Sequence, residues 1–266
     1  MVQKIRFYAI SDFGNVTQEI LCVAGAMNRY ATEFNCPPDF ICGLGDNFYP
    51  HGVESVYDEQ FNTSWRDVFL RNYPALRVPW RMILGNHDYM WNPFAEIEYH
   101  YNKKVNADGL WYMPDHCYQF RYQVEDSAPA SSGEEKKSEK SPLDIDFFVL
   151  DTNACQNHVV HSFPQTPTLM RKYVANLKEN LSRSTAHWKI VLGHHPMYTQ
   201  GIGHGGPANC LREIEYRSLR TDKVHHGYGV ESILREGGVD AYFSGHEHVF
   251  QVNYPHLFSF PLILSD

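Results

Sequence analysis

LGDNFYP, residues 44–50, closes the apolar run Phe40-Ile41-Cys42-Gly43-Leu44, and how that junction is read decides the fold. A short apolar run bounded by turn formers is a buried strand. This strand ends at Gly45 and delivers a carboxylate, Asp46, and three residues later a phenol, Tyr49. On its own the junction is a turn, since Gly, Asp, Asn and Pro punctuate strand ends. Other apolar runs end the same way. Ile10 leads into Ser11-Asp12-Phe13-Gly14, Leu84 into Gly85-Asn86-His87-Asp88, Leu192 into Gly193-His194-His195-Pro196, and Phe243 into Ser244-Gly245-His246-Glu247-His248.

Working outward, the elements alternate. A strand at 5–10 precedes an amphipathic helix at 18–34 and the strand at 40–44; a helix at 55–71 precedes a strand at 81–84. That βαβαβ order argues for a sheet with helices packed on it. Residues 118–124 alternate as a half-buried strand whose partner is 145–150. Between them, 125–142 is so poor in apolar residues that it reads as a mobile hairpin insertion. Leu169, Tyr173, Leu177 and Leu181 define a helix face leading to a strand at 189–192. A polar surface excursion at 212–227 and strands at 239–243, 248–253 and 260–264 complete the chain.

A net charge of −8 argues against a protein that tracks a nucleic-acid backbone. No segment is long and apolar enough to span a bilayer, and Met1–Arg6 runs into the first strand without a leader-like segment. The six cysteines form no CxxC pair, which excludes a zinc ribbon or a thioredoxin-type motif. Sequons at Asn15, Asn62 and Asn180 are close to the roughly one or two that chance supplies. Fifteen histidines tilt the reading toward a metal or acid–base site.

Each polar turn has a plain structural explanation. Asp12 could cap a helix, His246 and His248 could line a surface strand, Asn86 and His87 could be loop residues, and His194 could be a satisfied core histidine. All five at strand ends form a pattern, because sites in helix-flanked sheets gather outside the carboxyl ends of strands. Hard oxygen donors with imidazoles suit iron, manganese or zinc. Seven such groups suffice for two cations sharing one bridge, a template for phosphoryl chemistry.

In order and spacing these motifs resemble those of the metallophosphoesterase superfamily, and within it the purple acid phosphatases of the small tartrate-resistant, uteroferrin type. The family patterns GDxG, GDxxY, GNH[DE], VxxH and GHxH stand here at Ser11–Gly14, Gly45–Tyr49, Gly85–Asp88, Val191–His194 and Gly245–His248. The likeness covers nearly the whole chain. It implies one α/β catalytic domain over 1–266, a four-layer α/β/β/α sandwich of two mixed sheets flanked by helices. The family continues with further strands where this sequence stops at Asp266, so either those strands lie beyond it or the second sheet is completed differently. Ligation carries over as a ferric site of Asp12, Asp46, Tyr49 and His248, and a divalent site of Asp46, Asn86, His194 and His246 that takes iron, zinc or manganese. Gly14 stands where most superfamily members carry a metal-binding histidine, as a tyrosine-ligated site requires.

The activity implied is an acid phosphatase that hydrolyses phosphate monoesters of small molecules or phosphoproteins. A metal-activated hydroxide would attack phosphorus while His87 and His204, with Asn86, bind phosphate and assist the leaving group. The resemblance further implies a Cys155–Cys210 disulfide, a monomer, and a secreted, lysosomal or vesicular setting, with the cytosol left open. Ser11 replaces a glycine of the pattern, and His195 stands where mammalian members carry tyrosine, altering substrate contacts or pH dependence. Two other functions share these motifs: a phosphodiesterase acting on nucleotides or lipids, and a non-catalytic scaffold.

Overall fold

The computed structural model describes residues 4–124, 143–153, 167–199, 217, 219–223 and 227–252. Strands β1 (Phe7–Ile10), β2 (Phe40–Leu44), β3 (Trp80–Ile83) and β4 (Trp111–Tyr112) form one sheet in that order, every pairing parallel. A second sheet holds β5 (Gln119–Val124) antiparallel to β6 (Leu143–Val149), followed by β7 (Trp188–Leu192) and β8 (Ala241–Phe243) in parallel. The helices are α1 (Gln18–Glu33), α2 (Phe61–Leu70), α3 (Pro93–Tyr101), α4 (Pro167–Arg183) and α5 (Val230–Glu236).

The period-2 alternation of strand side chains sorts the core into three layers. Phe40, Cys42 and Leu44 of β2 point to the second sheet and meet Ile145, Phe147, Val149, Ile190 and Leu192. Ile41, from the opposite face of β2, joins Ala24 of α1 and Phe61, Trp65, Val68 and Phe69 of α2. Phe148 and Val191 face outward onto Met170, Val174, Leu177 and Leu181 of α4 and Leu234 of α5. Helix, sheet, sheet, helix is the expected four-layer sandwich. The first sheet is wholly parallel among its described strands and the second is mixed.

Local chemistry explains the element ends. Thr17 caps α1 by accepting from the Ile20 N–H at 3.4 Å. The helix stops where Asn35 turns left-handed at φ 48°. The helix expected over 55–71 starts only at Phe61, because Asp58 ties off the preceding turn by accepting from the Glu54 and Gln60 N–H groups at 3.0 Å each. It is wound as a π-helix, the Arg71 N–H reaching back to the Arg66 carbonyl at 2.8 Å.

The strand expected at 248–253 is absent among the described residues: His246 and His248 adopt φ of 74° and 49°, which no ladder continues. Leu219 corrects the surface reading of 212–227, since its side chain is fully buried in the outer core. Residues 125–142 and the strand expected at 260–264 lie outside the described residues.

At the far end of the second sheet, Arg121 grips Asp146 through Nε and an Nη at 2.7 and 2.8 Å, and the Ser184 hydroxyl donates to the same carboxylate at 2.6 Å. Arg121, with Ser184 adding to it, holds the Asp146 carboxyl below its ordinary value. A depressed folded pKa stabilises the fold above the unfolded pKa and stops doing so as pH falls through the folded value. Asp146→Asn should therefore cost about 1 kcal/mol at pH 7, with the gap to wild type closing below about pH 4. Urea unfolding at both pH values checks this.

Candidate metal centre at the strand ends

Because β1, β2 and β3 run parallel, as do β6, β7 and β8, their carboxyl ends open on one side of the sandwich. The two sheets are stitched there. The His246 N–H donates to Asp12 Oδ2 at 2.8 Å and His194 Nδ1 to the Leu44 carbonyl at 2.8 Å, while within the first sheet the Asp12 N–H donates to the Gly45 carbonyl at 3.0 Å. Ser11, the departure from glycine in the first motif, donates its hydroxyl toward the carbonyls of Leu44 and Gly45 at 3.1 and 3.2 Å. That contact laces β1 to β2.

Space for this convergence comes from glycine. A Cβ on Gly85 would collide with the Asp46 backbone and carboxylate, and one on Gly45, at φ 92°, would lie 2.6 Å from His194 Nδ1. Four polar residues also carry left-handed backbone: Asp12 (58°), Asp46 (52°), His246 (74°) and His248 (49°). Conformations of that kind cost energy and cluster where function demands them.

Two groups of donor atoms result. In the first, the Tyr49 hydroxyl lies 2.9 Å from Asp46 Oδ2, 3.2 Å from Asp12 Oδ1 and 3.2 Å from His248 Nε2. Two carboxylate oxygens and an imidazole nitrogen therefore converge on one phenol. In the second, the Leu44 carbonyl takes the Nδ1 proton of His194. Its Nε2 then faces Asn86 Oδ1 at 3.1 Å, His246 Nδ1 at 3.3 Å and Asp46 Oδ1 at 3.5 Å. Asp46, 1% exposed, reaches both groups with one oxygen each.

The electrostatics of the donor set favour a cation among them. Burial, and then the charges of Asp46 and Asp12, hold the Tyr49 phenol far above its ordinary value. Burial of His194 opposes its protonation, but Asp46 and Asp12 outweigh it and raise the imidazole. Burial works against the Asp12 carboxylate too, yet the His248 hydrogen bond and the charge of His194 hold it well below the usual range. Acceptors packed this closely fit cations, which would reverse the pressure on the phenol.

The expected residues Asp12, Asp46, Tyr49, Asn86, His194, His246 and His248 are thus brought together. His87 sits at the rim, about a quarter exposed. Its Nδ1 donates to the Pro50 carbonyl at 2.6 Å, and Nε2 lies 4.0 Å from Asp46 Oδ2. His204, Cys155 and Cys210 lie outside the described residues.

The sequence reading passed over the scaffold beneath. Asp88 accepts from the N–H groups of Asn47 and Phe48 through Oδ1 at 3.0 and 3.1 Å, and from Gly85 through Oδ2 at 2.7 Å. Asn47 donates its amide to Asp88 Oδ2, to Glu96 Oε2 and to the Ile83 carbonyl at 3.2, 2.9 and 2.7 Å. Asp88 and Glu96 are fully buried. Burial and the Asp46 charge push Asp88 up to about 7, and burial with Asp88 beside it drives Glu96 well above its ordinary value. Nothing in the sequence around Glu96 marks it out, since its partner lies 49 residues away.

Comparison with known proteins agrees with this geometry. The family described as calcineurin-like phosphoesterase matches residues 5–250. The chain is 30% identical to tartrate-resistant acid phosphatase type 5 of Sus scrofa, covering 97% of this chain and 74% of that one. Against purple acid phosphatase 7 of Arabidopsis thaliana it is 31% identical, over 80% of this chain and 55% of the relative. Among solved structures, GAP50, the anchor in the inner membrane complex of Plasmodium, superposes with a TM-score of 0.69. That match covers 95% of this chain and 69% of the other at 22% identity, a likeness of fold alone.

Proposed function

We infer the activity from the family: this chain belongs to the calcineurin-like phosphoesterases, on the branch of the tartrate-resistant, purple acid phosphatases. The reading supported best is hydrolysis of phosphate monoesters at a dinuclear centre. Asp12, Asp46, Tyr49 and His248 would hold a ferric ion, and Asp46, Asn86, His194 and His246 a divalent one. The observation that carries it is the Tyr49 hydroxyl, set among Asp12, Asp46 and His248. A phenol in that position is the donor that hard, trivalent iron takes as phenolate.

When bound, two such cations polarise a phosphate ester and acidify water. The chain's own residues do the rest. Asp46 sets the spacing of the two donor groups. With Nδ1 committed to Pro50, His87 presents Nε2 toward the centre, placed to hydrogen-bond a phosphoryl oxygen or pass a proton to a leaving alkoxide. Phe13 and Phe48, both fully buried, anchor the turns after β1 and β2 in the core, Phe13 against Phe69 and Trp80 and Phe48 against Phe61 and Trp111. His204 is proposed for the second substrate contact.

Against the scaffold reading stand the seven donor residues, all retained, and the left-handed backbone kept at four of them. Iron-loaded protein should show a broad visible phenolate-to-iron band, absent from Tyr49→Phe, and should turn over an aryl phosphate monoester in preference to a bis-aryl diester. A colourless iron-loaded protein that still cleaves esters would overturn the tyrosinate-iron reading. Preference for the diester would favour the phosphodiesterase.

A further inference from the structure

We propose that the pocket between the first donor group and the start of α1 is a leaving-group subsite. It takes an ester whose alcohol has an apolar, ring-sized body and a neutral or cationic end, and Glu19 sets that preference. The inference rests on the phosphomonoesterase reading above and names the substrate class of that same site.

A pocket of about 300 Å³ opens beside the centre, and Asp12, Tyr49 and His248 of the first donor group line part of it. The rest of its lining comes from the start of α1, where Glu19, Ile20 and Val23 join Asn15 of the preceding turn. Ligand pockets run from about 300 to 1,000 Å³, so this one suits a single ring-sized group. Tyr49 ties it to the chemistry. The Tyr49 ring centroid lies 4.4 Å from that of His87, the imidazole placed above to pass a proton to the leaving alkoxide. An alcohol seated against Tyr49 therefore departs next to that imidazole.

The α1 side sets the preference. Glu19, Ile20 and Val23 stand three and four residues apart, which makes them neighbours on one helix face. Ile20 packs against the core, whereas Val23 is 42% exposed and offers apolar area for a ring to cover. A helix start ordinarily attracts anions. Here Thr17 already accepts the Ile20 N–H at 3.4 Å, and Glu19 puts a carboxylate in the same first turn. A hydrogen bond from Thr17, and then its own backbone N–H, hold the Glu19 carboxyl below its ordinary value. The other carboxylate on the pocket, Asp12, is committed to the donor set, where Oδ2 accepts the His246 N–H. A leaving group with an anionic far end thus meets fixed negative charge, and a cationic end meets a partner.

The test uses two inert probes, para-aminomethyl and para-carboxymethyl benzylphosphonate, titrated by calorimetry into the chain loaded with ferric iron and zinc. The matching aryl phosphates are assayed for kcat/KM. The cationic probe should bind about tenfold more tightly at low salt, with kcat/KM following the same order. Glu19→Gln should bring both ratios to within about twofold of unity. Val23→Ser should weaken both probes by about threefold and leave their ratio unchanged. Ratios within one variant cancel metal content, and the phenolate-to-iron band reports whether the centre is intact. A wild-type ratio within about twofold of unity, or a tenfold ratio kept in Glu19→Gln, overturns the subsite and leaves the hydrolysis standing. Turnover of neither ester by the loaded wild type overturns both.

Discussion

Asp46→Asn is expected to lower aryl phosphate turnover by at least about a thousandfold while leaving the metal-free protein as stable as wild type, or more so. The loss follows from position: Asp46 reaches both donor groups, with Oδ2 toward Tyr49 and Oδ1 toward His194. Removing its charge weakens both cation positions together. Loss of one group that stabilises transition-state charge commonly costs a hundred- to a thousandfold, and a shared ligand should cost no less. The stability half of the expectation runs the other way. Asp46 is buried and its charge raises both Asp88 and Tyr49, so without cations it is a source of repulsion. Asparagine retains an oxygen for the His87 N–H that Asp46 accepts at 2.8 Å, and it tolerates the φ of 52°. Steady-state kinetics, metal quantitation and urea unfolding of the metal-free variant read the three effects. A drop in metal-free stability above about 2 kcal/mol would recast Asp46 as a structural acceptor first.

Asp88→Ala should do the reverse, unfolding the scaffold before any question of catalysis arises. Its carboxyl takes the buried N–H groups of Asn47, Phe48 and Gly85 and the Asn47 amide. Alanine leaves all of them without an acceptor, and each unsatisfied buried donor costs about 1–3 kcal/mol. Allowing for relaxation, the expected destabilisation is about 3–5 kcal/mol, a large share of the roughly 5–15 kcal/mol margin of a typical domain. The same donors hold the turns bearing Asp46 and Asn86, so metal affinity should fall with stability. Urea unfolding beside Asp46→Asn separates the two residues: Asp46 sacrifices stability to function, and Asp88 supports both. A loss below about 1 kcal/mol would mean that water replaces the carboxylate.

The contrast between these neighbours bears on what can be read from sequence. Asp12, Asp46, Asn86, His194, His246 and His248 were legible because each follows an apolar strand, and topology carries parallel strand ends to one place. Tyr49 was legible through its spacing from Asp46. Asp88 stood in view within a motif but without a role, and Glu96 gave no signal at all. Errors among the elements came from side-chain hydrogen bonds and backbone sign. Asp58 cut short the helix expected over 55–71, and the left-handed His246 and His248 ended a strand that hydropathy alone would have drawn.

Sequence alone thus determined the α/β order, the layering that alternation imposes on β2, β6 and β7, and the residue types gathered at the strand ends. Those properties are local, set by a period of two or by spacing within a turn. Tertiary structure decided which oxygen of Asp46 faces which group, that one phenol meets two carboxylates and an imidazole, and that Asn47 joins Asp88 to Glu96. Most of these contacts join residues far apart in sequence: Tyr49 lies 37 residues from Asp12 and 199 from His248, and Asn47 lies 49 from Glu96. At such separations the pairing is set by how two sheets pack, a cooperative outcome of the whole core that no local window contains.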